Sequence, residues 1–146
     1  MHFILEVALG KAEYLNIYGN DYDTPDGTPV RDYIYIMDVV DAHIIALERL
    51  LSGKNEKNYE YFNIGIGRGV SVLEMVHAFE KYTGIKIPYR FVDRRPGDIA
   101  YIYASTELIE KKLKWKARYG LKEMITTSWQ WAKNLNKIIY ELEKNQ

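Results

Sequence analysis

Two arginine positions carry the clearest potential for binding chemistry in this sequence. Arg31 follows a loop rich in glycine and proline, and Arg95 lies within the charged segment Arg94-Arg95-Pro96-Gly97-Asp98. A guanidinium presents a planar set of N–H donors that suits a phosphate, and a nearby aspartate can accept hydrogen bonds from hydroxyl groups. The residues alone leave two interpretations open: a phosphate-binding site, or salt bridges with a purely structural role.

A glycine-rich turn forms a second pattern. Gly65, Gly67 and Gly69 lie between a predicted strand and a predicted helix, where glycines can let a pyrophosphate approach a helix N-terminus. A complete G-x-G-x-x-G pattern starting at Gly65 requires glycine at position 70, which Val70 occupies. The pattern therefore favours a tight strand-to-helix turn over a dinucleotide-binding loop.

Other catalytic patterns are weaker. Tyr82 and Lys86 have the spacing of a dehydrogenase Tyr-x-x-x-Lys pair, but Gly84 between them predicts that the helix ends before Lys86. The three histidines lie far apart, and the chain has neither cysteine nor a G-x-S-x-G motif. We therefore predict no catalytic, cofactor-binding or metal-binding residue in this chain.

The composition is that of a soluble globular protein. The 146 residues include 20 Lys+Arg, 20 Asp+Glu and 47% hydrophobic residues. No apolar run approaches the ~20 residues of a membrane helix, and no basic leader suggests a signal peptide. Together with the absence of cysteine, this predicts a cytoplasmic location and no membrane partner. The lysines of the last third are interleaved with glutamates, which is typical of a solvated helix face and not of a nucleic-acid-binding surface.

Alternating elements predict an α/β fold in a single domain over residues 1–146. Helices are predicted at 3–9, from Asp38, from Ser71 to Gly84, from about Ser105 and at 121–143. Strands are predicted at 15–18, 33–36, 59–64 and 86–92, with Pro88 favouring an edge position for the last. Capping boxes are predicted at Asp38 with Asp41 and at Ser71 with Glu74.

The segment LNIYGNDYDTPDGTPVRDYIYIMDVVDAH, residues 15–43, closely resembles the UDP-glucose 4-epimerase family of extended short-chain dehydrogenases/reductases. Further motifs follow in that family's order: Asn63-Ile64-Gly65, Ser71-Val72-Leu73, Arg94 to Asp98, and Leu113-Lys114-Trp115. The resemblance extends over essentially the whole chain. It implies the C-terminal, substrate-binding portion of such an enzyme, with the N-terminal Rossmann half absent.

The missing half matters for activity. In this family it binds NAD and supplies the catalytic serine or threonine and the Tyr-x-x-x-Lys pair. The resemblance implies that this chain binds UDP-glucose or UDP-galactose and is inactive alone. It also implies an exposed apolar surface where a separate Rossmann-half chain or domain docks. NAD would be bound by that half. Alternatives are a stand-alone or split-gene UDP-sugar-binding module, or part of another NAD-dependent nucleotide-sugar epimerase or dehydratase.

The resemblance also implies a set of substrate-binding residues: Asn16, Ile17, Tyr18, Arg31, Tyr33, Val72, Arg95, Asp98 and Ile102. Residues 16–18 would contact the uracil, Arg31 and Arg95 would neutralise the pyrophosphate, and Asp98 would accept hydrogen bonds from the ribose. Tyr33 and Val72 would line the same cleft. Ile102 would border the hexose, where it is neither the large aromatic nor the small residue that governs acceptance of N-acetylated hexoses in relatives.

Overall fold

The structure, a computed structural model, describes residues 1–144. Over these residues the chain forms a mixed α/β fold, which confirms the predicted fold class. The elements are α1 (His2–Ala8), β1 (Leu15–Tyr18), β2 (Val30–Arg31), α2 (Ile36–Leu51), β3 (Val70–Ser71), α3 (Val72–Thr83), β4 (Tyr89–Val92), β5 (Tyr101–Ile102), α4 (Glu107–Leu113) and α5 (Leu121–Lys144).

The strands form two small sheets. β1 pairs in parallel with β4, with Leu15 opposite Tyr89. In the other sheet β2 is central, antiparallel to β3 and parallel to β5, and Arg31 lies opposite Ile102. Both sheets therefore bring residues that are distant in sequence to neighbouring positions.

The first core fills the space between the β1–β4 sheet and helices α1, α3 and α5. Helical spacing places Met75, Val76 and Phe79 on the buried face of α3, and Phe79 is fully buried. The Trp129 ring of α5 packs edge-on against Phe79, with 6.0 Å between centroids. Ile17 of β1 also lies in this core, so the core fixes the strand beneath the site described below.

The N-terminus of α3 matches its prediction. The Ser71 hydroxyl accepts a hydrogen bond from the Glu74 N–H at 2.9 Å, and the Glu74 carboxylate accepts one from the Ser71 N–H at 2.7 Å. This reciprocal capping box is confirmed. The helix ends at Gly84, whose positive φ of 74° is a conformation that glycine adopts without strain.

The start of α2 differs from its prediction. Residues 33–36 form no strand, and the helix begins at Ile36 with Tyr35 at the N-cap. Tyr33 and Tyr35 pack against the first core, and this tertiary packing overrides their preference for strands. Asp38 therefore lies in the first helical turn and is not a cap.

Asp38 joins α2 to the segment before α5. Its buried carboxylate accepts hydrogen bonds from the backbone N–H groups of Arg118 at 3.0 Å and Tyr119 at 3.1 Å. Nearby, Ala42 of α2 packs with Trp115 and residues of α4 in a second core. A buried carboxylate is thus satisfied by two amides of a distant segment.

Residues 59–64 alternate between exposed and half-buried side chains without forming a strand. Phe62 and Ile64 pack against the second core, whereas Tyr59 and Tyr61 are each 76% exposed. Within residues 1–144 no other backbone group pairs with this segment. The predicted strand is therefore wrong for this chain, because a ladder of hydrogen bonds needs a second strand.

Helix α2 exposes one apolar face to solvent. Seven large apolar side chains on it are between 43% and 77% exposed, and we refer to them as the α2 apolar face: Ile36, Met37, Val40, Ile44, Leu47, Leu50 and Leu51. A contiguous exposed patch of this kind is typical of an interaction surface. No helix within the described part of the chain is long and apolar enough to cross a membrane.

Candidate functional site

One cavity of about 260 Å³ collects most of the substrate-binding residues inferred from the sequence. It lies over β1, beside the end of β2 and the start of α3. Eight of the nine line it: Asn16, Ile17, Tyr18, Arg31, Tyr33, Val72, Arg95 and Asp98. Residues from four separate parts of the chain thus converge at one place: 16–18, 31–33, 72 and 95–98.

Arg31 is held firmly by its surroundings. Its Nη1 donates to the backbone carbonyls of Val30 at 2.8 Å and Ile99 at 2.9 Å, and Nη2 lies 3.4 Å from the Asp98 carboxylate. Charge-assisted hydrogen bonds of this kind restrict the guanidinium to one orientation. The same contacts place the Asp98 side chain next to Arg31 at the cavity wall.

Arg95 is held in a different way. Its guanidinium stacks on the ring of Tyr18, with Cζ 3.8 Å from the ring centroid. The neighbouring Arg94 stacks similarly on Tyr22 but also donates to the Asp21 carboxylate at 2.7 Å. Within residues 1–144, Arg95 makes no side-chain hydrogen bond or ion pair. Its donors are therefore oriented and unused, as an anion-binding site requires.

The remaining wall of the cavity is mostly apolar. Ile17 is 1% exposed and belongs to the first core, so it forms part of the floor of the cavity. The Asn16 side-chain oxygen accepts a hydrogen bond from Arg90 at 2.7 Å, which fixes the orientation of the amide. Burial raises the pKa of the Tyr33 phenol, against the opposing effect of the Arg31 charge, so this side chain stays neutral at physiological pH.

Ile102 lies outside this cavity, in an adjoining groove. The groove is lined by Arg31, Asp32, Asn63 and residues 102–105, and the Ile102 side chain is 51% exposed. Because Arg31 borders both spaces, the cavity and the groove meet at its guanidinium. A ligand that extends past Arg31 would therefore reach Ile102.

Several cavity residues were not predicted from the sequence. Met1, Phe3 and Ile4 of the first helical segment line the cavity, as do Pro29 and Met75. Phe3 is 62% exposed, and its ring lies 5.4 Å from the His2 ring, centroid to centroid. The sequence predicts the helix but carries no signal for where it packs, because that depends on the contact between α1 and β1.

The glycine turn is occupied by the chain itself. A side chain at Gly65 would meet the Asp32 carboxylate, and one at Gly69 would meet Val30. At the N-terminus of α3, the N–H of Val72 donates to a backbone carbonyl and that of Leu73 to the Thr28 hydroxyl. With the Glu74 amide engaged by the capping box, the terminus has no free donors for a pyrophosphate.

The other catalytic patterns stay apart in the structure. Tyr82 lies on α3, whereas Lys86 follows the helix and forms an ion pair with Glu80 at 3.0 Å. They do not share a helix face. Among residues 1–144 no group of three or more His, Cys, Asp or Glu side chains is arranged to hold a metal ion.

Comparisons with known proteins place this geometry in context. Residues 1–128 match a family model described as GDP-mannose 4,6 dehydratase. Among curated relatives, the UDP-glucose 4-epimerase GEPI42 of Cyamopsis tetragonoloba is 54% identical over 134 residues. That match covers 92% of this chain but only 38% of the relative's length.

Two solved structures are similar over nearly the whole chain. A UDP-glucose 4-epimerase from Stenotrophomonas maltophila, with bound NAD and formylated UDP-arabinopyranose, has a TM-score of 0.89 and 41% identity, covering 94% of this chain and 40% of that chain. One from Bifidobacterium longum, in complex with NAD+ and UDP, has a TM-score of 0.82 and 40% identity, covering 90% of this chain and 38% of that chain. The similarity therefore spans most of this chain and well under half of each of these proteins.

Proposed function

Because the chain belongs to the GDP-mannose 4,6 dehydratase family, and has UDP-glucose 4-epimerases as relatives at about 50% identity, we propose that it is the substrate-binding portion of such an epimerase. In this proposal it holds the UDP moiety of UDP-glucose or UDP-galactose. The epimerase resemblance inferred from the sequence is confirmed by these relatives.

The observation that carries the proposal is the state of Arg95. Its guanidinium lies in a cavity, stacked on Tyr18, with no anionic partner among the described residues. Arg31 stands in the same cavity, so two cations face one space. A pyrophosphate is the ligand that such a pair suits, and remote binding of this kind leaves the reacting sugar free to move.

Further contacts of the substrate follow from the same geometry. Residues 16–18 would contact the uracil, Ile17 through its backbone, and Asp98 would accept hydrogen bonds from the ribose. Tyr33 and Val72 would line the cleft. The hexose would extend past Arg31 into the groove that Ile102 borders.

We assign the redox chemistry to a separate nucleotide-binding half. The glycine turn and the N-terminus of α3 do not fit the pyrophosphate of NAD, because the amides of that terminus are used and the turn is packed against Asp32 and Val30. Tyr82 and Lys86 do not form a pair. The chain alone is therefore expected to bind substrate without converting it. The cytoplasmic location stays a prediction from composition.

The α2 apolar face and residues 59–64 support a docking surface for that half. The two are continuous, since a cavity of about 400 Å³ between them is lined by Leu47, Leu50 and Tyr59. Arg49 of α2 fastens the segment in place through an ion pair with Glu60 at 2.7 Å. An apolar helix face beside an extended, unpaired segment suits a partner that offers a strand and an apolar layer.

A second candidate function is that of a stand-alone or split-gene UDP-sugar-binding module. It is favoured by the convergence of eight of the inferred substrate-binding residues in one cavity of this chain. The same cleft would serve another NAD-dependent nucleotide-sugar epimerase or dehydratase. The candidates differ in whether a second half restores activity.

Calorimetry with UDP tests the binding function directly. If the chain does not bind UDP, the proposed function is wrong. An epimerase assay with UDP-galactose and NAD then separates the candidates. The epimerase portion should be inactive alone and should gain activity when mixed with the complementary N-terminal part of a UDP-glucose 4-epimerase. A module that binds UDP but never gains activity would favour the second candidate.

A further inference from the structure

Asp32 directly follows Arg31, and its carboxylate bridges two other segments of the chain. Oδ1 accepts a hydrogen bond from the Ile66 N–H at 3.1 Å, and Oδ2 accepts one from the Ala104 N–H at 3.0 Å. The bridged segments are the glycine turn after residue 64 and the chain just beyond β5. One side chain thus ties three segments together at one end of the β3–β2–β5 sheet.

The packing around this bridge is close. A side chain added at Gly65 would lie 2.2 Å from Asp32 Oδ2, so only glycine lets the turn approach the carboxylate. Ala104 lies two residues after Ile102, which is opposite Arg31 in the register of β2 and β5. The bridge therefore fixes the distance between the Arg31 strand and the groove wall that contains Ile102.

Asp32 has no role in balancing charge within the described residues. Arg31, its neighbour, pairs with Asp98 instead, and no cation pairs with Asp32. Both of its oxygens are used by backbone amides. Hydrogen bonds from amides to a carboxylate are strong and directional, and they hold loops in one geometry. The side chain lines the groove next to Ile102 and does not line the cavity of Arg95.

We propose that Asp32 is a positioning residue, which holds the sugar-side groove in register with the phosphate-binding Arg31. This inference rests on the proposed function, since it assumes that UDP occupies the Arg31 and Arg95 cavity. In this role Asp32 acts on the hexose through the segment 102–104 and not by contact with the nucleotide. Its removal should therefore separate the binding of the sugar from the binding of UDP.

The test compares UDP with UDP-glucose on the 146-residue chain by calorimetry. In Asp32→Asn, the amide N–H₂ replaces one acceptor and faces a backbone N–H. We expect the Kd of UDP to change by less than about threefold and that of UDP-glucose to rise by about tenfold, as for loss of one charged hydrogen bond. Hydrogen exchange should show faster exchange at the Ile66 or Ala104 amide.

Two further variants separate positioning from stability. Gly65→Ala disturbs the same bridge from its other side and should shift the two affinities in the same pattern. Asp26→Asn is the control, because it makes the same chemical change at an aspartate outside the cavity and the groove. Asp26 accepts a hydrogen bond from the Thr28 N–H at 2.9 Å. This variant should leave the ratio of the two affinities unchanged.

Equal losses for UDP and UDP-glucose in Asp32→Asn would overturn the inference, as would unchanged exchange at both amides or a parent chain that binds the two ligands equally. If the parent bound no UDP at all, the proposed function would fail instead. The exchange measurement on Ile66 and Ala104 reports on the bridge without any ligand.

Discussion

The guanidinium carbon of Arg95 lies 3.8 Å from the centroid of the Tyr18 ring, and this contact holds an unpaired cation over β1. Two neighbouring arginines also stack on tyrosines, but Arg94 and Arg90 each donate to a side-chain oxygen as well. The position that lines the cavity is the one whose donors are unused. The stacking orients the guanidinium before a ligand arrives, which reduces the side-chain entropy that binding would otherwise cost.

Arg95→Ala should weaken UDP binding by about 1.5–3 kcal/mol, the range for hydrogen bonds to charged groups. That corresponds to a Kd about 10- to 150-fold higher in calorimetry. Arg94→Ala is the matched control, because it removes the same charge from the adjacent residue. The Arg94 side chain pairs with Asp21 and does not line the cavity. If Arg95→Ala bound UDP as well as the parent chain, the phosphate assignment would be wrong.

Asp38→Asn should lower the free energy of unfolding by about 1.5–3 kcal/mol, because the buried carboxylate accepts two backbone N–H groups. Denaturant titration measures the loss. Asp41→Asn on the same helix is the control, since its ion pair with Arg118 is partly solvent-exposed and should contribute only about 0–1 kcal/mol. Equal losses for the two variants would contradict this assignment.

The Arg49–Glu60 pair predicts how stability depends on acid. The hydrogen bond from Arg49 lowers the pKa of Glu60 from 4.5 to about 2. Since the pKa is lower in the folded state, the contribution is fully present above pH 4.5 and is lost as the pH falls through about 2. In Glu60→Gln the free energy of unfolding should therefore fall less between pH 4.5 and 2 than it does in the parent chain. Denaturant titrations at several pH values measure this difference. An unchanged acid profile in the variant would count against the pair.

The α2 apolar face should make the isolated chain bind a hydrophobic dye and self-associate. A variant with Ile44, Leu47 and Leu51 changed to Gln should bind less dye and sediment as a smaller species, because it removes exposed apolar area. A control variant changes Ile138 and Leu142 of α5, which are 51% and 61% exposed, to Gln. Equal reductions in both variants would show that the α2 face has no special role.

Local patterns predicted the elements that depend on local interactions. The capping box at Ser71 and the glycine stop at Gly84 formed as expected, because both are set by neighbouring residues. Strands were predicted less well. Residues 59–64 have no pairing strand within residues 1–144, and the aromatic residues before α2 pack against a core that no local pattern describes.

The site shows the same division. Arg31 and Arg95 stood out by residue type, but their convergence depends on the register of two sheets and the packing of α1. Without the family resemblance, the sequence favoured a structural salt bridge over a phosphate-binding site. The contact of Arg31 with Asp98 shows that this arginine is braced within the fold, whereas phosphate binding stays a prediction.

At the N-terminus of α3 the first three amides all donate within the chain, so the proposed phosphate binding would depend on guanidinium charge. Side-chain charges near a surface act partly through solvent, where dissolved ions screen them over about 10 Å at 0.1 M salt. The affinity for a nucleoside diphosphate should therefore fall as the ionic strength rises. A higher salt concentration should weaken the proposed nucleotide binding without any rearrangement of the protein.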